Sequence, residues 1–183
     1  NHTRRQQCTW TGFLHENPDA GADLTITSNA SYMDSAAKIT GEINAEGQKI
    51  ARWTLNVAAG GSFGWYNGAF EYIEIDVEKS GQSSGSFAIS TPATDKASSL
   101  TLSDVNVQVH GYVGWANQSV TVNGPATAPS NIRVFEGGEF RILGTTKSFG
   151  ANPQFLSFQN EGTLTNNANG TVTLGADYST TGK

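Results

Sequence analysis

Hydrophobic and polar residues alternate singly along most of this chain. Between residues 24 and 174, apolar side chains repeatedly occupy every second position, most clearly in residues 53–57, 73–77 and 105–109. A period of two places alternate side chains on opposite faces of a β-strand, so one face can enter a core while the other meets water. The residues predicted to be buried by this pattern are Trp53, Leu55, Val57, Ile73, Ile75, Val77, Val107 and Val109.

Glycine-rich turns separate the alternating runs. Gly137 and Gly138 stand between the runs 131–135 and 139–143, a spacing typical of a β-hairpin. A second hairpin is predicted where the segment 166–170 separates two further runs. The alternation changes phase near Asp104, which predicts a bulge or a turn, because an uncorrected slip would turn the apolar face toward water.

These runs and turns predict an all-β fold of about eleven strands with little helix. The expected architecture is an antiparallel β-sandwich or jelly roll, since the strands recur about every dozen residues and no long helical pattern occurs. We interpret residues 1–20 as an N-terminal arm or first strand and residues 21–183 as a single domain, and we find no internal repeat.

Composition narrows the class of protein further. The 183 residues carry a net charge of −5, and only 15% of them are charged, so a basic nucleic-acid-binding face is not expected. Aromatic residues make up 10% of the chain, which argues against disorder. The three histidines are widely separated and Cys8 is the single cysteine, so we predict no metal site, no cofactor and no internal disulfide. The low-charge composition, rich in Gly, Ser, Thr and Asn, is typical of secreted, filament and virion-surface proteins.

One segment carries closely spaced carboxylates. Residues 69–79 read AFEYIEIDVEK, in which Glu74, Asp76 and Glu78 share one face of a strand. A solvated acidic face accounts for this pattern, and so does a pair of carboxyl groups that perform acid–base chemistry.

This Glu-x-Asp-x-Glu pattern resembles the active-site motif of family 16 glycoside hydrolases, which fold as antiparallel jelly rolls. The resemblance implies that Glu74 is a nucleophile, Glu78 an acid/base and Asp76 an assisting carboxylate in a retaining mechanism. It covers five residues, and Phe70-Glu71-Tyr72 stands where the family has a Trp-rich segment and a glycine.

Two stretches combine glycines with aromatic rings. Residues 58–68 read AAGGSFGWYNG, and a second stretch begins at His110 and includes Trp115. Aromatic rings cover the apolar faces of sugars, and uncharged amides and hydroxyls bind sugar hydroxyl groups. We therefore predict a ligand-binding surface formed by Trp65, Tyr66, Asn67 and Trp115, with Trp65 at least partly exposed. The alternative is that these rings plug the ends of the fold.

Together these patterns favour a surface-exposed or secreted binding domain, an adhesin or lectin that recognises a glycan or a protein receptor. The second hypothesis is the retaining hydrolase centred on Glu74 and Glu78, and the third is a structural filament or virion subunit. The uncharged segments 162–165 and 171–175 would allow self-assembly if they lie at sheet edges. Neither nucleic-acid binding nor membrane insertion is expected.

Overall fold

A computed structural model describes the chain at residues 5–8, 11–13, 23–27, 30–92 and 97–183. At residues 5–8 and 11–13 it describes the backbone alone, so the Cys8 side chain and most of the predicted N-terminal arm lie outside the described residues. Within the described part no helix is found, and therefore none that is long and apolar enough to cross a membrane.

Three parallel sheets contain most of the described strands. Sheet 1 contains β1 (Arg5–Cys8), β3 (Asp23–Ile26), β8 (Trp53–Val57), β11 (Ile73–Val77), β16 (Asn106–Val109), β19 (Ser130–Val134), β22 (Leu156–Asn160) and β25 (Asp177–Thr180). Sheet 2 contains β2 (Thr11–Phe13), β4 (Ala30–Met33), β9 (Ser62–Trp65), β14 (Ser86–Ile89), β17 (Tyr112–Ala116), β20 (Glu139–Leu143) and β23 (Thr163–Asn166). Sheet 3 contains β5 (Lys38–Thr40), β10 (Gly68–Glu71), β15 (Leu100–Ser103), β18 (Val120–Asn123), β21 (Lys147–Phe149) and β24 (Val172–Leu174). Two small antiparallel pairs complete the set: β6 (Glu42–Ile43) with β7 (Lys49–Ala51), and β12 (Lys79–Ser80) with β13 (Ser83–Ser84).

The chain runs through the three sheets in a repeating order and so forms a parallel β-helix. After one strand in each sheet it returns to sheet 1, where β11 pairs in parallel with β8 on one side and β16 on the other. The prediction of an antiparallel sandwich or jelly roll is therefore wrong. Parallel strands need a long connection between them, and here the path through the other two sheets supplies it.

The coil encloses its own core, which explains why the alternation is one-sided. In sheet 1 an inward row passes through Leu55, Ile75, Val107, Ile132 and Phe158, all buried. Parallel sheets elsewhere are usually covered on both faces, whereas the outer face of each sheet here meets solvent. All eight residues predicted to be buried are at most 6% exposed, so the prediction of the core is confirmed.

Neither predicted hairpin forms. Gly137 and Gly138 lie at the corner between β19 in sheet 1 and β20 in sheet 2. Residues 166–170 likewise connect β23 in sheet 2 with β24 in sheet 3. Both turns were predicted at the right place, but the chain changes sheet there instead of folding back on its own strand.

A column of glycines forms the corner between sheets 1 and 2. At each of these positions a Cβ would come against backbone carbonyl oxygens of the same turn or of the neighbouring coil; at Gly111, for example, it would lie 2.5 Å from the Glu78 oxygen. The Gly85 carbonyl accepts a hydrogen bond from the Tyr112 amide at 2.9 Å, which ties one coil to the next. Close backbone approach thus selects glycine at this corner. The column consists of Gly61, Gly85, Gly111, Gly138, Gly162 and Gly182.

The phase change near Asp104 is a turn, as predicted. Asp104 has a φ of 51° and lies between β15 and β16, so the chain passes there from sheet 3 to sheet 1. Its carboxylate binds Lys49 at 2.5 Å and Arg52 at 2.9 Å. The Lys49 pair fastens the β6–β7 hairpin, and the Arg52 pair the residue that leads into β8, against the corner between sheets 3 and 1.

Candidate functional site

The predicted acidic strand is β11, in the interior of sheet 1. Glu74 and Asp76 point outward from it, between the inward residues Ile73, Ile75 and Val77. Glu78 follows the strand and is exposed at the corner with sheet 2. The shared face predicted for Glu74 and Asp76 is thus present.

Burial raises the pKa of Asp76 to about 7, aided by a hydrogen bond with Glu74 and by the negative charges of Glu74, Glu78 and Asp23. Asp76 Oδ1 is buried without a hydrogen-bond partner, so ionisation of this carboxyl group is disfavoured and Asp76 keeps its proton to higher pH than an exposed carboxyl does. A raised pKa of this kind suits acid–base chemistry, but it also arises in structural carboxyl pairs.

The surroundings of this pair are flat and polar. On neighbouring strands Thr54 and Asn106 stand beside Glu74, and Asn56 and Gln108 stand beside Asp76. Glu78 lines a groove of about 520 Å³ at the corner, but neither Glu74 nor Asp76 lines it.

The resemblance to family 16 glycoside hydrolases loses its structural basis. That motif belongs to an antiparallel jelly roll, whereas β11 lies between two parallel neighbours. The fold that the resemblance implied is therefore wrong, and the roles it gave to Glu74, Asp76 and Glu78 stay a prediction that this fold does not support.

The predicted exposure of Trp65 is wrong, and Trp115 is buried as well. Trp65 is 1% exposed and Trp115 is 0% exposed. Trp65 packs against Phe70 with ring centroids 5.0 Å apart, and Trp115 against Phe149 at 5.2 Å. Trp65 is the last residue of β9 and Trp115 the last but one of β17. Both point inward, so they belong to the core and not to a ligand-binding surface.

The two indoles and Asn67 hold the corner between sheets 2 and 3. The Trp65 indole N–H donates to the Gly68 carbonyl at 3.2 Å. The Asn67 side-chain oxygen accepts from the backbone N–H groups of Gly68 at 2.9 Å and Ser99 at 3.0 Å. Asn67 is 6% exposed, so its amide is used within the turn.

Tyr66 alone of the four predicted binding residues lies outside the core. Its ring covers Gly64, one of the two outward residues of β9, where any Cβ would overlap the ring. It also stacks on Tyr32 of β4, with ring centroids 6.3 Å apart and an interplanar angle of 28°. Glycine within a strand often marks a place where another group approaches closely, and here that group is the Tyr66 ring.

Tyr112 repeats this arrangement two strands away. Its ring lies over Gly114 on β17, with the hydroxyl oxygen 3.0 Å from where a Cβ would stand. The Arg141 guanidinium lies 5.7 Å from the ring centroid and forms an ion pair with Glu139 at 2.7 Å.

Strand register joins these residues into one surface. Tyr32, Gly64, Ala88 and Gly114 form a single outward row that crosses β4, β9, β14 and β17. With the rings of Tyr66 and Tyr112 laid over the two glycines, the row becomes a continuous band of apolar surface. We call Tyr32, Tyr66, Ala88 and Tyr112 the tyrosine stripe.

Uncharged hydroxyl groups accompany the stripe. Ser62 and Ser86 are paired neighbours in the adjacent outward row, which continues to Tyr112. Within the described part of the chain, no hydrogen bond occupies the hydroxyl of Tyr66 or Tyr112. The surface thus combines apolar area with free, neutral hydrogen-bonding groups.

Sequence reasoning identified Tyr66 and missed Tyr32 and Tyr112 as surface rings. A signal for the surface rings was present in the sequence: a glycine and a tyrosine separated by one residue. This spacing occurs in Gly64 with Tyr66 and in Tyr112 with Gly114. Residues at this spacing share a face, so the small residue gives the ring a place to lie.

Comparisons with known proteins found no relative of this chain. No protein-family model matches the chain, and searches of curated proteins and of solved structures found no match.

Proposed function

We propose that this protein is a carbohydrate-binding domain, an adhesin or lectin, and that the tyrosine stripe on sheet 2 contacts the glycan. The observation that carries the proposal is the alignment of three partly exposed tyrosine rings, two of them lying over glycines, in one line of outward positions. Ring faces suit the apolar faces of sugars, and the nearby hydroxyls suit sugar hydroxyl groups.

Preorganisation strengthens this proposal. Each of Tyr66 and Tyr112 is held against the sheet by contact with its glycine, so little rotamer freedom remains to be lost when a ligand binds. Tyr32 and Tyr112 stand on β4 and β17, and Tyr66 directly follows β9, so the rings are placed by the sheet and not by a long loop that must first be ordered. A secreted or surface location of the domain fits this role and is part of the same proposal.

A glycan array followed by titration tests the proposal. We expect the wild-type domain to bind at least one class of glycan and Tyr66→Ala to weaken that binding at least about tenfold, as for an aromatic hot spot. Tyr178→Ala is the matched control, because Tyr178 is 43% exposed and lies outside the stripe. Equal affinity of Tyr66→Ala and wild type would contradict the proposed site.

A second candidate role is assembly through sheet edges. β23 and β24 are the last strands of sheets 2 and 3, and neither contains a charged residue. We propose that such uncharged edges pair with another chain. Thr173→Lys places a charge on the exposed residue of β24 and should suppress association of the domain in sedimentation experiments. A wild-type domain that stays monomeric at high concentration would contradict this role.

A further inference from the structure

We infer that the ligand of the tyrosine stripe is a neutral, extended oligosaccharide that lies along the helix axis, across the strands. This inference rests on the proposed glycan-binding function and adds the class, the direction and the minimum length of the ligand.

The direction follows from strand register. The row from Tyr32 through Gly64, Ala88 and Gly114 reaches Arg141 on β20, so the stripe crosses successive coils instead of following any one strand. Neighbouring strands lie about 4.8 Å apart, which places Tyr32 and Tyr112 about 14 Å apart along the axis. One sugar unit is similar in size to one tyrosine ring and cannot contact both.

The repeated chemistry along the stripe also indicates a polymer. Ser62 and Ser86 present hydroxyl groups one strand apart, beside the outward positions of Gly64 and Ala88. They repeat at the strand spacing of about 4.8 Å, in parallel with the rings. A chain of similar sugar units offers its hydroxyls in a comparable series, whereas a single sugar would use one part of the surface.

The absence of charge sets the ligand class. Neither the tyrosine stripe nor the two neighbouring serines contain an ionised side chain. The nearest charges in the same rows, Glu139 and Arg141, neutralise each other in an ion pair at one end. An acidic glycan would therefore gain little affinity from electrostatic attraction at this surface. A neutral β-linked chain, with a flat apolar face on each sugar unit, matches the surface best.

Calorimetric titration with cello-oligosaccharides of increasing length tests the inference. We expect affinity to rise at least about tenfold from the disaccharide to longer chains, since a further aromatic hot spot is engaged, and then to level off. Tyr112→Ala should remove this gain, because it deletes the ring farthest from the Tyr32–Tyr66 pair. Tyr178→Ala should preserve it, and circular dichroism should show that both variants keep the fold.

The outcomes separate this inference from the function on which it rests. Equal affinity for the disaccharide and the hexasaccharide would overturn the inference, as would tighter binding of a polyuronate than of the neutral chain. Either result would leave the glycan-binding function standing. Failure of the wild-type domain to bind any sugar on the array would overturn both.

Discussion

Sheets 1 and 2 are both built from parallel strands, but their outer faces carry different side chains, polar on sheet 1 and aromatic on sheet 2. Sheet 1 presents amides, hydroxyls and a carboxyl pair, with Asn131 donating a hydrogen bond to Asn106 at 3.1 Å across neighbouring strands. Sheet 2 presents tyrosine rings laid over glycines. The polar groups of sheet 1 partly satisfy one another. On sheet 2 the rings of Tyr66 and Tyr112 pack on glycines, and the hydroxyls of these two residues have no hydrogen bond within the described part of the chain.

The comparison shows what the coil constrains and what it leaves free. Inward positions must be apolar in both sheets, because the coil has no other core. Outward positions have no such requirement, so the outer faces can differ without changing the fold. A binding surface in this protein is therefore to be sought among outward residues, and the sheet 2 face has the features of one.

The largest expected loss of stability comes from shortening a core side chain, and it tests whether the inner faces of sheets 1 and 2 contribute equally to the core. Trp53→Ala in sheet 1 and Phe63→Ala in sheet 2 should each cost about 3–5 kcal/mol of unfolding free energy, since both side chains are at most 1% exposed. Chemical denaturation measures both values. A small loss for either variant would mean that its sheet does not enclose the core as described.

A smaller effect is expected where sheet 2 differs from sheet 1. Gly64→Ala should cost about 1–3 kcal/mol, because the new methyl group overlaps the Tyr66 ring. In a Tyr66→Ala background the same change should cost less, since the ring has been removed. Additive losses in this double-mutant cycle would show that the ring does not lie over Gly64.

The carboxyl pair of sheet 1 should make stability depend on pH. The pKa of Asp76 rises from 3.8 to about 7 on folding, so the folded state holds the extra proton between these values and loses stability as pH rises through that range. Asp76→Asn should stabilise the protein at pH 8 by about 1 kcal/mol, after allowance for solvent screening. At pH 3 the variant and wild type should unfold alike, and a constant difference at both pH values would refute the assignment.

The smallest effect concerns the amide contacts of sheet 1. Asn131→Ala removes hydrogen bonds to Asn106 and to the Pro129 carbonyl, both at 3.1 Å, and should cost about 0.5–1 kcal/mol. Thermal melting with glycan present and absent provides the check. The variant should bind glycan as wild type does, because sheet 1 lies outside the proposed site.

The sequence predicted the core and several turns because those features depend on local pattern. Alternation identified Trp53, Ile75 and their companions as buried, and the phase change identified the turn at Asp104. Strand pairing was predicted wrongly, because a period of two is common to parallel and antiparallel sheets and says nothing about which strands are neighbours.

The repeat of the coil was hidden by insertions. The β6–β7 hairpin and the long connection between β14 and β15 lengthen single coils, so no fixed period survives. The repeat is most visible in the corner glycines from Gly61 to Gly182, which recur at intervals of 20 to 27 residues. Their spacing was the available signal for a solenoid.

The candidate site was predicted only in part. Glycine near Trp65 suggested an exposed loop, but Gly64 is a strand residue whose missing side chain accommodates Tyr66. Alternate residues of β9 face the core, and which set does so decides which aromatic ring is buried. Trp65 falls on the inward set and Tyr66, the next residue, points outward. Tyr32 joins the site through pairing between β4 and β9, which local pattern does not encode.

Chemical-shift mapping of the domain with a glycan selected on the array tests the central claim most directly. The account predicts that ligand-induced shifts concentrate at Tyr32, Tyr66, Ala88 and Tyr112 on sheet 2. Shifts concentrated at Glu74 and Asp76 on sheet 1, with the tyrosine signals unmoved, would contradict it.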